Sequence, residues 1–224
     1  MKKIGILFLC LISVSCFLSL TGCKKDEGLA PFVSELRSEI YNGQSDSYQI
    51  RASYGFREEP FTNDGSVGEK VYRLTFRMTG LQTDNTERTV FLTYKGVEYK
   101  SVFSLNPVSD MLTATLEIED FSEKEFSAVI FAGSAAETIT FKSIIPENAL
   151  NYRAALALFE KNQPALADSF KDENGNFCAE IYARIIFKDE KPFWYIGFAS
   201  GNNRIKALLL DGVTGEVLAT RDVL

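Results

Sequence analysis

Tyr72-Arg73-Leu74-Thr75-Phe76-Arg77-Met78-Thr79 alternates apolar and polar residues without a break. Successive side chains of a strand point to opposite faces. Tyr72, Leu74, Phe76 and Met78 therefore share one face, and Arg73, Thr75, Arg77 and Thr79 the other. One face suits a core and the other suits water, the pattern of an antiparallel strand buried on one side. Leu112, Ala114, Leu116 and Ile118, set against Thr113, Thr115, Glu117 and Glu119, repeat the device.

Working outward from these two stretches, the sequence predicts strands over 33–41, 47–54, 70–79, 88–94, 97–105, 112–119, 125–132 and 138–143. Asn42-Gly43, Asp64-Gly65 and Lys95-Gly96 punctuate them, because glycine accepts positive φ without steric cost. Strands recurring at this spacing with one apolar face predict an antiparallel β-sandwich over residues 31–145, with immunoglobulin-like topology. The disulfide and the buried Trp of antibody domains are missing from this stretch.

The pattern changes at Pro146. Ala149, Ala154, Ala155 and Ala157 favour a helix, and Leu150, Tyr152, Leu156, Leu158 and Phe159 give it apolar faces. Pro146-Glu147-Asn148 reads as its start, and it should end near Asn162, ahead of Pro164. A shorter helix is expected over 164–170. Strands over 177–187, 192–199, 204–210 and 217–223 follow. Residues 146–224 thus read as a mainly antiparallel sheet with a helix packed on it, an α+β unit behind a β unit, and the whole chain as mainly β.

The order helix, strand, hairpin, strand, together with Tyr182-Ala183-Arg184-Ile185 and Leu210-Asp211-Gly212-Val213-Thr214-Gly215-Glu216-Val217-Leu218, resembles the PepSY domain. That resemblance covers about residues 147–224. It implies an α+β module found in secreted and membrane-attached bacterial proteins and associated with peptidase inhibition or protein contact. It carries over no catalytic residue.

The N-terminus has a second resemblance. Lys2 and Lys3 precede an apolar run from Ile4 to Leu20, closed by Leu20-Thr21-Gly22-Cys23. A basic start, a short apolar core and small residues before a cut site make an export signal. The run falls short of the roughly 20 residues of a retained span, and Gly5, Ser13, Ser15 and Ser19 dilute it. The tetrapeptide resembles the lipobox of bacterial lipoprotein precursors. The resemblance implies that residues 1–22 are a lipoprotein signal peptide, that Cys23 is lipidated, and that 23–30 form a tether. The expected location is the outer face of a bacterial membrane.

Several chemistries are excluded. The chain has no histidine, which removes Ser-His-Asp and Cys-His catalysis and His-ligated zinc. Of four cysteines, Cys10 and Cys16 leave with the signal and Cys23 carries lipid, so Cys178 has no partner for an intrachain disulfide. Cys178 is expected to be a buried, inert thiol. The formal charge is −6, and it becomes more negative once Lys2 and Lys3 are lost, which disfavours nucleic acid. No cofactor and no metal are expected.

Two places suggest contact surfaces. Residues 54–65 mix aromatic and charged side chains between two strands, as long functional loops do. Tyr54, Phe56, Arg57, Glu58, Phe61 and Asp64 are its candidate binding residues, Arg57 as a carboxylate clamp. Glu58 and Glu59 are adjacent and should face opposite ways, unsuited to paired acid–base work. Trp194, in the aromatic strand Phe193-Trp194-Tyr195, is the other candidate. Asp211 with Thr214, and Asp172 with Asn174 and Asn176, read as turn chemistry. The expectation is a lipid-anchored, non-catalytic protein that binds or modulates an extracytoplasmic protein partner. The competing expectations are a small-molecule or peptide binder using an interdomain cleft, and a carboxylate-only glycan hydrolase.

Overall fold

The computed structural model describes residues 28–45, 49–62, 66–79, 86–107, 111–200 and 204–223. Residues 1–27, which include the expected signal peptide and Cys23, lie outside them, as does Asp64. A 3-10 turn, Ala30–Phe32, leads into β1, Val33–Gln44. There follow β2 (Gln49–Glu59), β3 (Glu69–Thr79), β4 (Arg88–Tyr94), β5 (Val97–Val102), β6 (Ser104–Asn106), β7 (Met111–Glu117), β8 (Glu125–Ala132) and β9 (Ala135–Ser143). Helices α1 (Tyr152–Asn162) and α2 (Pro164–Asp168) separate these from β10 (Ala179–Lys188), β11 (Lys191–Ser200), β12 (Arg204–Asp211) and β13 (Val217–Val223). The chain is mainly β, as the alternation predicts.

All thirteen strands form one hydrogen-bonded network. β1 is its joint. Along one edge its first half pairs parallel with β10, Leu36 opposite Ala183 and Arg37 opposite Arg184. Further along the same edge, Tyr41–Gly43 pair antiparallel with Phe141–Ser143 of β9. Its other edge is taken by β2 over nearly the whole length, with a bulge between Arg37 and Glu39. A bulge bends a strand and sharpens its twist, which lets β1 leave one sheet and enter another.

From β1 the sheet runs through β2, β3, β7 and β6 on one side and through β9, β8, β4 and β5 on the other. It curls until the two arms approach. Thr115 N–H of β7 lies 3.4 Å from Ser101 Oγ of β5. The result is nearly a barrel. Its core holds the apolar faces predicted from the alternation: Leu74, Phe76 and Met78 from β3, with Ala114 and Leu116 from β7. Tyr41, Tyr54 and Tyr94 reach one end of that core, and their hydroxyls donate to the carbonyls of Glu123, Ile118 and Asp120.

The second core lies between α1 and β10–β13. Ala155, Leu156 and Phe159 of α1 meet Ile181, Ala183, Ile185, Trp194, Ile196 and Phe198. β1 and β2 contribute Val33, Leu36, Ile40 and Phe56 to it, and Tyr72 packs against both cores.

Three sequence expectations are corrected here. α1 starts at Tyr152, not at Pro146. Asn151 caps it, its side chain accepting from Ala154 N–H at 2.9 Å, while Leu150 N–H is held by Gly212 C=O. Residues 54–59 are strand rather than loop, because β2 stays paired with β3 as far as Glu59. Cys178 is exposed rather than buried. It sits just before β10, with its Sγ 3.3 Å from Asn176 C=O.

Gly55 occupies the tightest point of the joint. A Cβ built there would lie 1.8 Å from Leu36 C=O, a backbone atom that cannot swing aside. Gly55→Ala should therefore lower unfolding stability by about 3 kcal/mol or more. Gly96→Ala, at φ +79° with open space around it, should cost about 1–2 kcal/mol from backbone strain alone. Urea denaturation of both variants checks this ordering.

Candidate functional site

The polar face of the sheet is where the joint creates a site. The pairing registers place Arg184, Arg37, Gly55, Arg73 and Glu117 in one row across β10, β1, β2, β3 and β7. Alternation turns these residues away from the two cores. Gly55, at the centre of the row, lies against the Leu36–Arg37 backbone, and both line a cavity of ≈ 630 Å³. Five arginines line it, Arg37, Arg57, Arg73, Arg77 and Arg184, against two carboxylates, Glu35 and Glu117. Ser53, Thr75 and Thr115 add hydroxyls. A cationic cavity in a chain of formal charge −6 is a local concentration of charge, not a reflection of composition.

The arginines differ in how well they are neutralised. Glu35 accepts two bonds from Arg184, Nε at 2.6 Å and Nη2 at 2.7 Å, the fork geometry that suits a carboxylate. This bond, more than the Coulomb attraction, raises the Arg184 pKa. Arg73 reaches Glu59 and, at 3.3 Å, Glu117. Arg57 stands 3.9 Å from Glu35 and lies 3.4 Å above the Phe61 ring centroid. Arg77 donates to Ser53 Oγ at 3.1 Å and makes no ion pair with the described residues. The Arg37 side chain makes neither a hydrogen bond nor an ion pair with them.

Burial, followed by the positive charges of Arg77 and Arg184, holds the Arg37 pKa below its ordinary value. Burial does the same to Arg77, and Arg184 adds to it against the pull of Glu35. A second cavity of ≈ 670 Å³ continues the first. It shares Arg37 and Arg77 and adds Arg51, Asn42, Gln49 and Thr79.

The structure brings some of the sequence candidates to this cavity and scatters others. Arg57 stands at its rim, and Tyr54 and Phe56 contribute to its wall. Their side chains are core groups, however. The Tyr54 hydroxyl donates to Ile118 C=O and accepts from Phe121 N–H, and Phe56 packs edge-on against Tyr72. Glu58 points inward, fully buried, with Oε2 accepting from Gly68 N–H at 2.7 Å, while Glu59 points outward to Arg73. Phe61 is 39% exposed and packs on Tyr182. Trp194 is a core residue, its indole N–H donating to Leu150 C=O at 2.9 Å. Asp211 Oδ1 accepts from Val213 and Thr214 N–H, and Asp172 Oδ1 from Asn174 and Asn176 N–H, as turn carboxylates do.

Arg37, Arg73, Arg77 and Arg184 were missed as site residues. Their signal was present in part: Arg73 and Arg77 occupy the polar face of the most regular strand. Only the register between strands brings Arg37 and Arg184 beside them. No family model, no curated protein and no solved structure matches this chain.

Tyr182 borders the same region. Burial, then Glu180, Glu58 and Glu35, push its phenol up to about 12. The unfolded value is about 10. Ionisation is thus disfavoured in the fold, and the stability linked to it is whole below pH ~10 and lost as pH rises through about 12. The difference in phenolate absorbance between the parent and Tyr182→Phe should titrate near that upper value. A midpoint at the ordinary tyrosine value would refute the placement.

Proposed function

We propose that this chain is an exported, lipid-anchored protein that does no chemistry of its own and holds a partner at the outer face of a bacterial membrane. The observation that carries the reading is the arginine-walled cavity, built across five adjacent strands and so held rigid. Contact, rather than turnover, suits a surface whose ionisable groups are arginines and the carboxylates that pair with them. The anchor is Cys23, at the end of the lipobox-like Leu20-Thr21-Gly22-Cys23. Two acyl chains give stable attachment where one is marginal.

The C-terminal unit is read as a PepSY-like module. Helix α1 on the antiparallel order β10–β11–β12–β13 supports this, as does the Asp211–Glu216 turn. The N-terminal unit is read as a sandwich curled toward closure, β1, β2, β3 and β7 facing β4, β8 and β9 across one core. The shared strand β1 fits that better than an open immunoglobulin-like arrangement.

A second reading, capture of a small molecule or peptide between the two units, is favoured by one observation. The cavity takes Arg184 from β10 and its other arginines from β1, β2 and β3. A carboxylate-only hydrolase has less support, since Glu35 and Glu117, the carboxylates lining the cavity, both bond arginines.

Crosslinking on intact cells, with mass spectrometry, tests the leading reading. The full-length chain should yield one recurrent partner, joined through the polar face of β1–β3, and Cys23→Ser should lose both the lipid and the partner. No partner above background would remove this reading.

A further inference from the structure

The two cavities meet at one pair of side chains. Arg37 and Arg77 line both. The other cations around them are engaged: Arg184 by Glu35, Arg73 by Glu59 and Glu117, Arg57 by Glu35 and the Phe61 ring. Arg51 Nε reaches Asn42 Oδ1 at 3.4 Å. Arg77 has one neutral partner, Ser53, and Arg37 has none among the described residues. Both are half-buried, and burial with a neighbouring guanidinium disfavours the charged form of each against the attraction of Glu35, which bonds Arg184 instead.

An arrangement of this kind raises the energy of the empty protein. It is relieved by an anion placed between the two forks. Guanidinium presents donors in a plane that matches carboxylate, phosphate or sulfate oxygens, and it is weakly hydrated, which lowers the cost of burying it with an anion. Ser53, Thr75 and Thr115 set neutral hydroxyls around the same space. Of the exposed large apolar side chains, Phe61 stands under Arg57 at the rim, while Val97, Val102, Leu105, Phe131, Val213 and Leu218 are not among the cavity's lining residues. A face that inserts among lipid head groups carries such residues beside its cations. The pair also sits in the middle of the sheet, on β1 and β3, with β10 and β7 beyond.

We infer that Arg37 and Arg77 form an oxyanion-binding site, which takes a carboxylate, phosphate or sulfate group carried by a soluble molecule whose hydroxylated or polar body lies against Ser53, Thr75 and Thr115. The inference rests on the binding reading above and names the chemistry of what is bound.

The test uses the full-length lipoprotein in phosphatidylcholine nanodiscs, titrated calorimetrically with citrate and with pyrophosphate. At least one of the two should bind, less tightly as salt rises. Arg37→Gln/Arg77→Gln should weaken that binding by about tenfold or more, and the variant's melting temperature should equal or exceed the parent's. Ligand sites are commonly kept at a cost to stability, whereas a pair with a structural role would lose stability when removed. Phosphatidylglycerol nanodiscs should leave the affinity unchanged. Four results would overturn the inference: no binding of either anion, binding that survives the double substitution, a lowered melting temperature in the variant, or loss of binding on phosphatidylglycerol, which would assign the site to lipid head groups. If a cell-surface partner is still crosslinked while neither anion binds, the oxyanion site falls and the binding reading stands. If both experiments fail, both fall.

Discussion

β1 has two different neighbours along one edge, and the rest of the structure follows from that. Its first half is bound to β10 and its second half to β9. A strand so divided must bend, and the bulge between Arg37 and Glu39 supplies the bend. The division also decides where apolar residues go. Val33, Leu36 and Ile40 serve the core beneath α1, and Tyr41 serves the barrel-like core. Neither core is complete without this strand. A parallel pair needs a long connection, and here nearly the whole of the barrel-like unit and both helices lie between β1 and β10.

The cavity is a by-product of the same bend. Where β1 crosses close over β2, only glycine fits at position 55, and the strands that meet there line the cavity. The parallel pairing brings Arg184 alongside Arg37, and the antiparallel pairings bring Arg73 and Glu117 into line. The sheet thus supplies rigidity, and the polar face supplies charge. Carboxylates from Glu35, Glu59 and Glu117 neutralise the outer arginines and leave Arg37 and Arg77 between them. An acidic chain repels most polyanions at long range, and this cationic recess offers an anion a place at short range.

What could be read from the sequence was local. β3, β4 and β8 run over the predicted residues within one position, because strict alternation and glycine turns mark them. From sequence the end of β2 reads as loop, since Gly55-Phe56-Arg57-Glu58-Glu59 has poor strand propensity. Pairing with β3 and the bond from Gly68 N–H to the buried Glu58 outweigh that propensity. The sequence puts the helix start too early, because the cap that decides it is the Asn151 side chain accepting from Ala154 N–H. Trp194 looked like a contact residue from composition, yet its indole N–H is spent inside the fold on Leu150. The arginine row was illegible for a different reason. Its members are up to 147 residues apart along the chain, counting from Arg37 to Arg184, and nothing local states their register.

Because β1 belongs to both cores, they should unfold as one. The measurement that tests this most directly is scanning calorimetry of the full-length protein, combined with hydrogen exchange at the amides of Val33–Gln44. The account predicts a single transition, with the most protected β1 amides exchanging only through global unfolding. Two separated transitions, with β10–β13 losing protection while β1 keeps it, would contradict it.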